Sequence, residues 1–250
     1  MKKISISLII AGALVAIGAT AQSGKSGAPG VIYSADGAVA VQSVSGAPAP
    51  QGIAPACLDV TGIASWDGLD DTDNIVIDLN IGAGNSLTGV AWDVNIATVG
   101  GSWRSEARVL LSDSTGSADP EGIVITPGFA DSSSGQSDYS SGGVIDFSDN
   151  SLPDITTQPD GILRLQFYDS FDDFADAVDA NWSNIQGGPA AVCDGIALVC
   201  SDQAACNAAL GAGGPVLPEI NPVPANNPWA LGLLVLVLAG LGIVAVRRFV

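Results

Sequence analysis

The chain has 250 residues and no histidine, and its 26 acidic against 8 basic side chains leave a formal charge of −18 at neutral pH. Without imidazole, Ser-His-Asp and Cys-His nucleophile systems and the usual zinc sites are excluded. A chain this poor in Lys and Arg also lacks the basic clusters that binding nucleic acid requires. Carboxylate chemistry and hard cations remain open, above all Ca²⁺, which takes roughly six to eight oxygen ligands.

At the start, Lys2-Lys3 precede an apolar stretch from Ile4 to Ile17, and Ala19-Thr20-Ala21 forms a small-residue box before Gln22. This reads as a secretory signal peptide over residues 1–21, cut by signal peptidase between Ala21 and Gln22. An uncleaved anchor is the alternative, disfavoured by that box and by the short apolar run. Between Gln22 and Pro228 the cations Lys25, Arg104, Arg108 and Arg164 stand against all 26 acids, so the exported part carries −22. Residues 22–55 are rich in Gly, Ala, Pro and Ser and read as a linker, because such a composition buries too little apolar surface to offset its ordering entropy. Within it, residues 31–35 and 38–41 flank Asp36-Gly37, a short-range hairpin signal. Two strands alone are marginal, so this hairpin either docks on the domain or moves freely.

From Ala56 the pattern becomes short apolar runs broken by Gly, Asp, Asn and Ser. Ile75, Ile77 and Leu79 alternate with Val76, Asp78 and Asn80, and Val90, Trp92, Val94 and Ile96 alternate with Ala91, Asp93 and Asn95. Period two with one apolar face predicts strands. Further strands are expected over residues 107–111, 122–126, 143–147 and 162–168. With no long amphipathic helix, the fold class is all-β, a sandwich over residues 56–210 around a single core. The progression Asp-Asn-Ile-Val-Ile-Asp-Leu from Asp73, Ser-Trp-Arg-Ser-Glu-Ala-Arg from Ser102 and Asp-Gly-Ile-Leu-Arg-Leu-Gln-Phe-Tyr-Asp from Asp160, then Asp172-Asp173 and Asp179-Ala180-Asn181-Trp182, resembles jelly-roll sandwiches of bacterial surface proteins. Those are in turn similar to the P domain of proprotein convertases. The resemblance implies a jelly-roll-like β-sandwich and a surface location, and no activity.

Two acid runs stand out. Asp67, Asp70, Asp71 and Asp73 crowd one loop, and Asp169, Asp172, Asp173 and Asp176 another. Carboxylates this dense repel one another unless a cation or water separates them, so each loop is a candidate Ca²⁺ site. Neither has an EF-hand's Gly and Glu at the required places, and solvated loops of an acidic protein are the alternative reading. The second run also has helical spacing, with Phe171, Phe174, Ala175 and Val178 on the opposite face, so a short amphipathic helix is an alternative there. Arg104, Glu106 and Arg108 alternate and, in a strand, would form a charge ladder on one face. Glu106 with a neighbouring Asp could form a glycosidase pair, but two flanking arginines would lower its pKa and spoil it as an acid. No residue is therefore assigned a catalytic role. Trp66, Trp92, Trp103 and Trp182 are core or rim aromatics, or a platform for a surface polysaccharide.

Cys57, Cys193, Cys200 and Cys206 are an even number in an exported chain, which reads as two disulfides with three connectivities. A site of four thiolates is disfavoured in an oxidising compartment. Cys200 and Cys206 lie close in sequence and pair with each other across Ser201-Asp202-Gln203-Ala204-Ala205, which leaves Cys57 to pair with Cys193.

After Cys206 the chain returns to Gly, Pro and Asn, a stalk over residues 211–228. Residues 229–246 form a predicted transmembrane helix. The run from Ala230 to Val246 has no charged or amide side chain, and at about 1.5 Å per residue it spans roughly 26 Å, close to a bilayer core. Trp229 sits at the interface and Arg247-Arg248 form a cytoplasmic flank. With Val223 and Pro224, these residues make a tripartite tail over residues 223–250 that resembles the C-terminal sorting domains of exosortase-processed bacterial proteins, of the type called IPTL-CTERM. Pro224 and Trp229 keep that family's spacing, while Val223, Ala225 and Asn226 depart from its signature. The resemblance implies an inner-membrane stage with the ectodomain in the periplasm. An exosortase-like enzyme would then cut near the signature and pass the ectodomain to the cell surface or the extracellular matrix. The expected function is structural or adhesive and non-enzymatic. The rivals are a carbohydrate-binding or hydrolytic module and an ordinary single-pass membrane-anchored protein.

Overall fold

In the computed structural model, residues 30–34, 40–42, 54–173, 177–186, 190 and 192–211 are described. The predicted signal peptide, most of the stalk and the sorting tail, including Val223, Pro224, Trp229, Arg247 and Arg248, lie outside them. Among the described residues no helix is long and apolar enough to cross a membrane.

Alternating apolar side chains sort the strands into two antiparallel sheets that share one core. The first contains β1 (Val31–Ser34), β2 (Ala40–Gln42), β5 (Ile75–Asn80), β7 (Ala107–Asp113), β8 (Ile123–Thr126) and β12 (Ile162–Asp169), in the order β2-β1-β8-β7-β12-β5. The second contains β3 (Ala56–Leu58), β4 (Ile63–Ser65), β6 (Ser86–Thr98), β9 (Gln136–Ser140), β10 (Ile145–Asp146), β11 (Ile155–Thr156), β13 (Ala180–Asn184) and β14 (Gly195–Cys200). Its axis is β6. Asp93 pairs at once with Gly195 of β14 and Ser140 of β9, and Val94 with Asn184 of β13 and Tyr139 of β9. So β13 and β14 follow one another along one side of β6, while β9, β10 and β11 share the other. Each side of β6 is a long strand interrupted by loops.

Ile77, Leu79, Val109, Leu111, Leu163 and Leu165 of the first sheet meet Leu58, Ile63, Val90, Trp92, Ile96 and Ile196 of the second. Burying a side chain of this size stabilises by roughly 1.5 to 3 kcal/mol. Phe167 and Trp182 join the sheets edge to face at 5.3 Å between centroids, a geometry that adds about 0.5 to 1.5 kcal/mol. The face of β6 that alternation assigns to solvent is covered as well. Ala91 packs with Val144, Ala197, Val192 and Cys193, and Asn95 is held by Asp138 and Gln136.

The hairpin read in the linker is part of the first sheet. β1 pairs with both β2 and β8, and Ile32 enters the main core. Cys57 is bonded to Cys193 and Cys200 to Cys206, the pairs expected from spacing. The segment after Cys200 is not merely a turn. Asp202 accepts the Ala205 N–H at 3.0 Å and caps a helix, α1 (Gln203–Gly211), whose Cys206 is buried.

Chain direction sets up two unlike ends. Residues 66–74, 99–106, 127–135 and 170–179 all leave or enter the strands at one end, joining β4 to β5, β6 to β7, β8 to β9 and β12 to β13. Residues 81–85, 114–122 and 157–161, with α1, close the other.

Candidate functional site

The two acid runs meet at the first of these ends. Asp169 is the last residue of β12, paired with Ala107 of β7, and its N–H donates to the Asp67 carbonyl at 3.0 Å. Asp179 donates its N–H to the Ser65 carbonyl at 3.0 Å, accepts the Val99 N–H at 2.7 Å, and takes the Ser102 hydroxyl on its carboxylate at 2.8 Å. These bonds tie three loops together and stack their carboxylates. Oxygens of Asp67, Asp172 and Asp179 lie within 4.8 Å of one another, and so do those of Asp67, Asp71 and Asp73. Asp67 is common to both groups.

Not every predicted member joins. Asp70 turns away with φ +69° and accepts the Ser117 hydroxyl at 2.6 Å. Asp173 is exposed beside the cluster, and Asp176 lies outside the described residues. The helical alternative for the second run does not form among its described residues, since Asp169 belongs to a strand and 170–173 and 177–179 are not helical. Asp179 and Ser102, which the acid runs do not point to, complete the arrangement.

Burial makes these carboxylates unusual. Asp169 and Asp179 are both fully buried, and each has one oxygen, Oδ2, without a hydrogen-bond partner. Burial pushes Asp169 up to about 7, against one Phe171 N–H, with the charges of Asp179, Glu106 and Asp173 adding to the rise. Burial likewise pushes Asp179 up to about 6, against the Ser102 hydroxyl, with Asp172, Asp173 and Asp67 adding. Two ionised carboxylates as close as those of either triad, within 4.8 Å, repel by on the order of 3 kcal/mol at an effective dielectric constant near 20.

Among the described residues, the arginines are engaged elsewhere. Arg164 is paired with Asp78 at 2.8 Å, and Arg108 donates to the Tyr33 hydroxyl at 2.8 Å. Arg104 makes a fork to Asp131 at 2.9 and 2.8 Å. The expected ladder of Arg104, Glu106 and Arg108 therefore does not exist. Only Arg108 is in a strand, while Glu106 turns back to accept the Trp103 N–H at 2.7 Å. The Arg104 fork, with the Ser133 and Tyr139 hydroxyls, holds Asp131 down to about 2. It also braces loop 99–106 against loop 127–135, where Gly128 leaves no room for a side chain: a Cβ there would stand 2.5 Å from the Arg104 carbonyl.

The same end carries the apolar surface. Of the six large exposed hydrophobic residues among those described, Leu69, Val99, Trp103, Phe129 and Phe171 lie in its four loops, at least one on each, and Val76 alone does not. Of the four candidate tryptophans, Trp92 and Trp182 are buried, Trp66 is half-buried and Trp103 is exposed, the last two on loops of this end.

Comparisons with known protein families, with curated proteins and with solved structures find no match.

Proposed function

We propose that this chain is an exported bacterial β-sandwich of jelly-roll type that serves the cell surface or extracellular matrix as a structural or adhesive module and catalyses no reaction. In this reading the leader over residues 1–21 exports it and the helix over residues 229–246 holds it in the inner membrane. An exosortase-like enzyme then releases it. Two disulfides support an oxidising compartment. The observation that carries the adhesive role is the loop end, where exposed apolar side chains gather on every loop. Monomeric proteins expose large apolar side chains together chiefly where they meet a partner. Trp92 and Trp182 fill the core instead of lining a sheet face, which favours this role over a carbohydrate-binding or hydrolytic one, with Trp103 an exposed ring among the apolar side chains of the loop end.

Retention of the protein on the surface of its host cells tests the reading. Trp103→Ala with Phe171→Ala is expected to release it to the medium with no change in thermal midpoint, because both side chains are exposed. Unchanged retention removes the adhesive role. Intact mass of the surface material tests the sorting route, with a mature chain starting near Gln22 and lacking the helix after Trp229. An intact tail leaves an ordinary single-pass anchor.

A further inference from the structure

We infer that the loop end is a Ca²⁺ site in which Asp67, Asp172 and Asp179 form the inner carboxylate set, Asp71 and Asp73 the outer one, and Asp67 links the two. This deepens the adhesive reading, since it names the cation that would set the loops bearing Leu69 and Phe171.

Geometry comes first. Ca²⁺ holds oxygen at about 2.3 to 2.6 Å, so two of its ligands are at most roughly 5 Å apart. The carboxylate oxygens of both triads, all within 4.8 Å of one another, meet that limit. An acid cluster alone would be weak ground, because exposed acids often crowd without an ion. Here the interior wall is different. Asp179 is fully buried, bonded through one oxygen to Ser102, and its other oxygen has no partner. Behind it Asp169 is equally buried with Oδ2 also unpartnered. A buried acceptor with no donor costs free energy that a cation would recover. Asp71 and Asp73 of the outer set and Asp172 of the inner one are exposed and leave the ion a path from solvent.

Ligand chemistry selects the ion. Every donor is a hard oxygen, there is no histidine, and all four cysteines are in disulfides. That disfavours zinc and the softer metals. Mg²⁺ keeps several waters and a strict octahedron, whereas Ca²⁺ accepts many carboxylates in loose geometry. The ligands also come from loops on either side of the sandwich. Asp67 precedes β5 of the first sheet, and Asp179 precedes β13 of the second. An ion between them fastens both.

The test uses the full chain in detergent, stripped with a chelator, with Ca²⁺ binding followed by equilibrium dialysis and by thermal midpoint. Ca²⁺ at millimolar concentration is expected to bind and raise the midpoint, and Mg²⁺ to do so less. Asp172→Asn, at an exposed position that does not bear on folding, should weaken Ca²⁺ binding roughly tenfold or more through loss of one ligand charge. Asp154→Asn, remote and exposed, should bind as the parent does. Asp179→Asn should lose the Ca²⁺ response and yet melt higher than the parent in chelator, because an amide no longer buries a charge. The proposal is overturned if Ca²⁺ does not bind, or if binding is equal in the parent and in Asp172→Asn. Loss of Ca²⁺ binding with surface retention still sensitive to Trp103 and Phe171 would leave the adhesive reading intact; the reverse result would remove that reading and keep the ion.

Discussion

Asp113 and Asp169 both have little contact with solvent, at opposite ends of the same sandwich, and their pKa values move in opposite directions. Burial is the largest single influence on Asp113 and pushes its pKa up, but the hydrogen bonds of Thr115 and Gln158 together outweigh it, and the pKa ends below its ordinary value. Asp169 has one N–H donor and three acidic neighbours, and rises to about 7. The rest of the far end follows Asp113. Thr157 gives its hydroxyl to the carbonyls of Gly82 and Asn85, the Asn85 amide reaches the Ile81 carbonyl, and the Ser86 N–H meets the Ser201 hydroxyl. Asp169 lies deeper in the protein than Asp113, and it also has fewer donors to offset that depth. Among the described residues, one end is satisfied internally, and the buried Asp169 and Asp179 at the other end are left short of donors. That shortage is why the second end reads as a site.

The largest effect expected bears on what is common to both ends. The Cys57–Cys193 bridge spans a sequence separation of 136, against 6 for Cys200–Cys206. In the chain-entropy treatment the long loop stabilises by about 4 to 5 kcal/mol and the short one by about 2 to 3. Denaturant unfolding of Cys57→Ala/Cys193→Ala and of Cys200→Ala/Cys206→Ala should show that order. Because the Cys200–Cys206 bridge includes no residue of either triad, the second variant should keep the full response to Ca²⁺.

Next comes pH, where carboxylates held up by burial and a carboxylate held down by an arginine should oppose each other in chelator, although both kinds lie at the acidic end. Asp169 at about 7 and Asp179 at about 6 hold protons in the folded chain that the unfolded chain, with carboxylates near 4, has released. Their contribution is fully present below about pH 4 and is lost as pH rises through the folded values. Asp131, at about 2, works the other way, and its contribution, present above about pH 4, disappears as pH falls toward 2. The metal-free protein should therefore be most stable near pH 4 to 5, and Asp169→Asn should flatten the slope between pH 5 and 7. An unchanged slope would show that donors other than those described reach the acidic end. Adding Ca²⁺ at a hundred times its Kd should restore roughly 2.7 kcal/mol at pH 7 by mass action.

Much of the first sheet is legible in the sequence because β5, β7 and β12 carry alternating or strongly apolar runs. The second sheet is harder to read. β14 is a continuous apolar run, Gly-Ile-Ala-Leu-Val-Cys, buried on both faces, and β9 is polar because Asp138 and Gln136 serve the Asn95 network. Helix α1 hides behind Ser201-Asp202, whose turn chemistry is also a helix cap. For the site, composition exposes both acid runs but not their meeting. That depends on β12 running in register to Asp169, so that its N–H reaches Asp67. Asp179 is a lone acid before a strand, and only the pairing of β13 with both β4 and β6 carries it to the cluster.

The smallest effect expected is the one that tests the comparison of donors most directly. Thr115 gives both its N–H, at 2.7 Å, and its hydroxyl to the same oxygen of Asp113. Thr115→Val keeps the backbone donor, the branched shape and the exposed position, and removes the hydroxyl alone. A hydrogen bond to a charged group of this kind is worth about 1 to 3 kcal/mol, toward the low end where one partner is exposed. Asp113 should then move upward in pKa, toward the behaviour of Asp169, as read by carboxyl chemical shifts against pH. Stability above pH 4 should fall by about 1 kcal/mol, and the fall should shrink as Asp113 is protonated. The Ca²⁺ response should not change, since the bonds of Thr115 and Gln158 to Asp113 involve no member of either carboxylate triad. If the pKa of Asp113 stays low in Thr115→Val, the Gln158 amide and the Thr115 N–H suffice, and counting donors would not explain why one buried carboxylate is held down and the other is not.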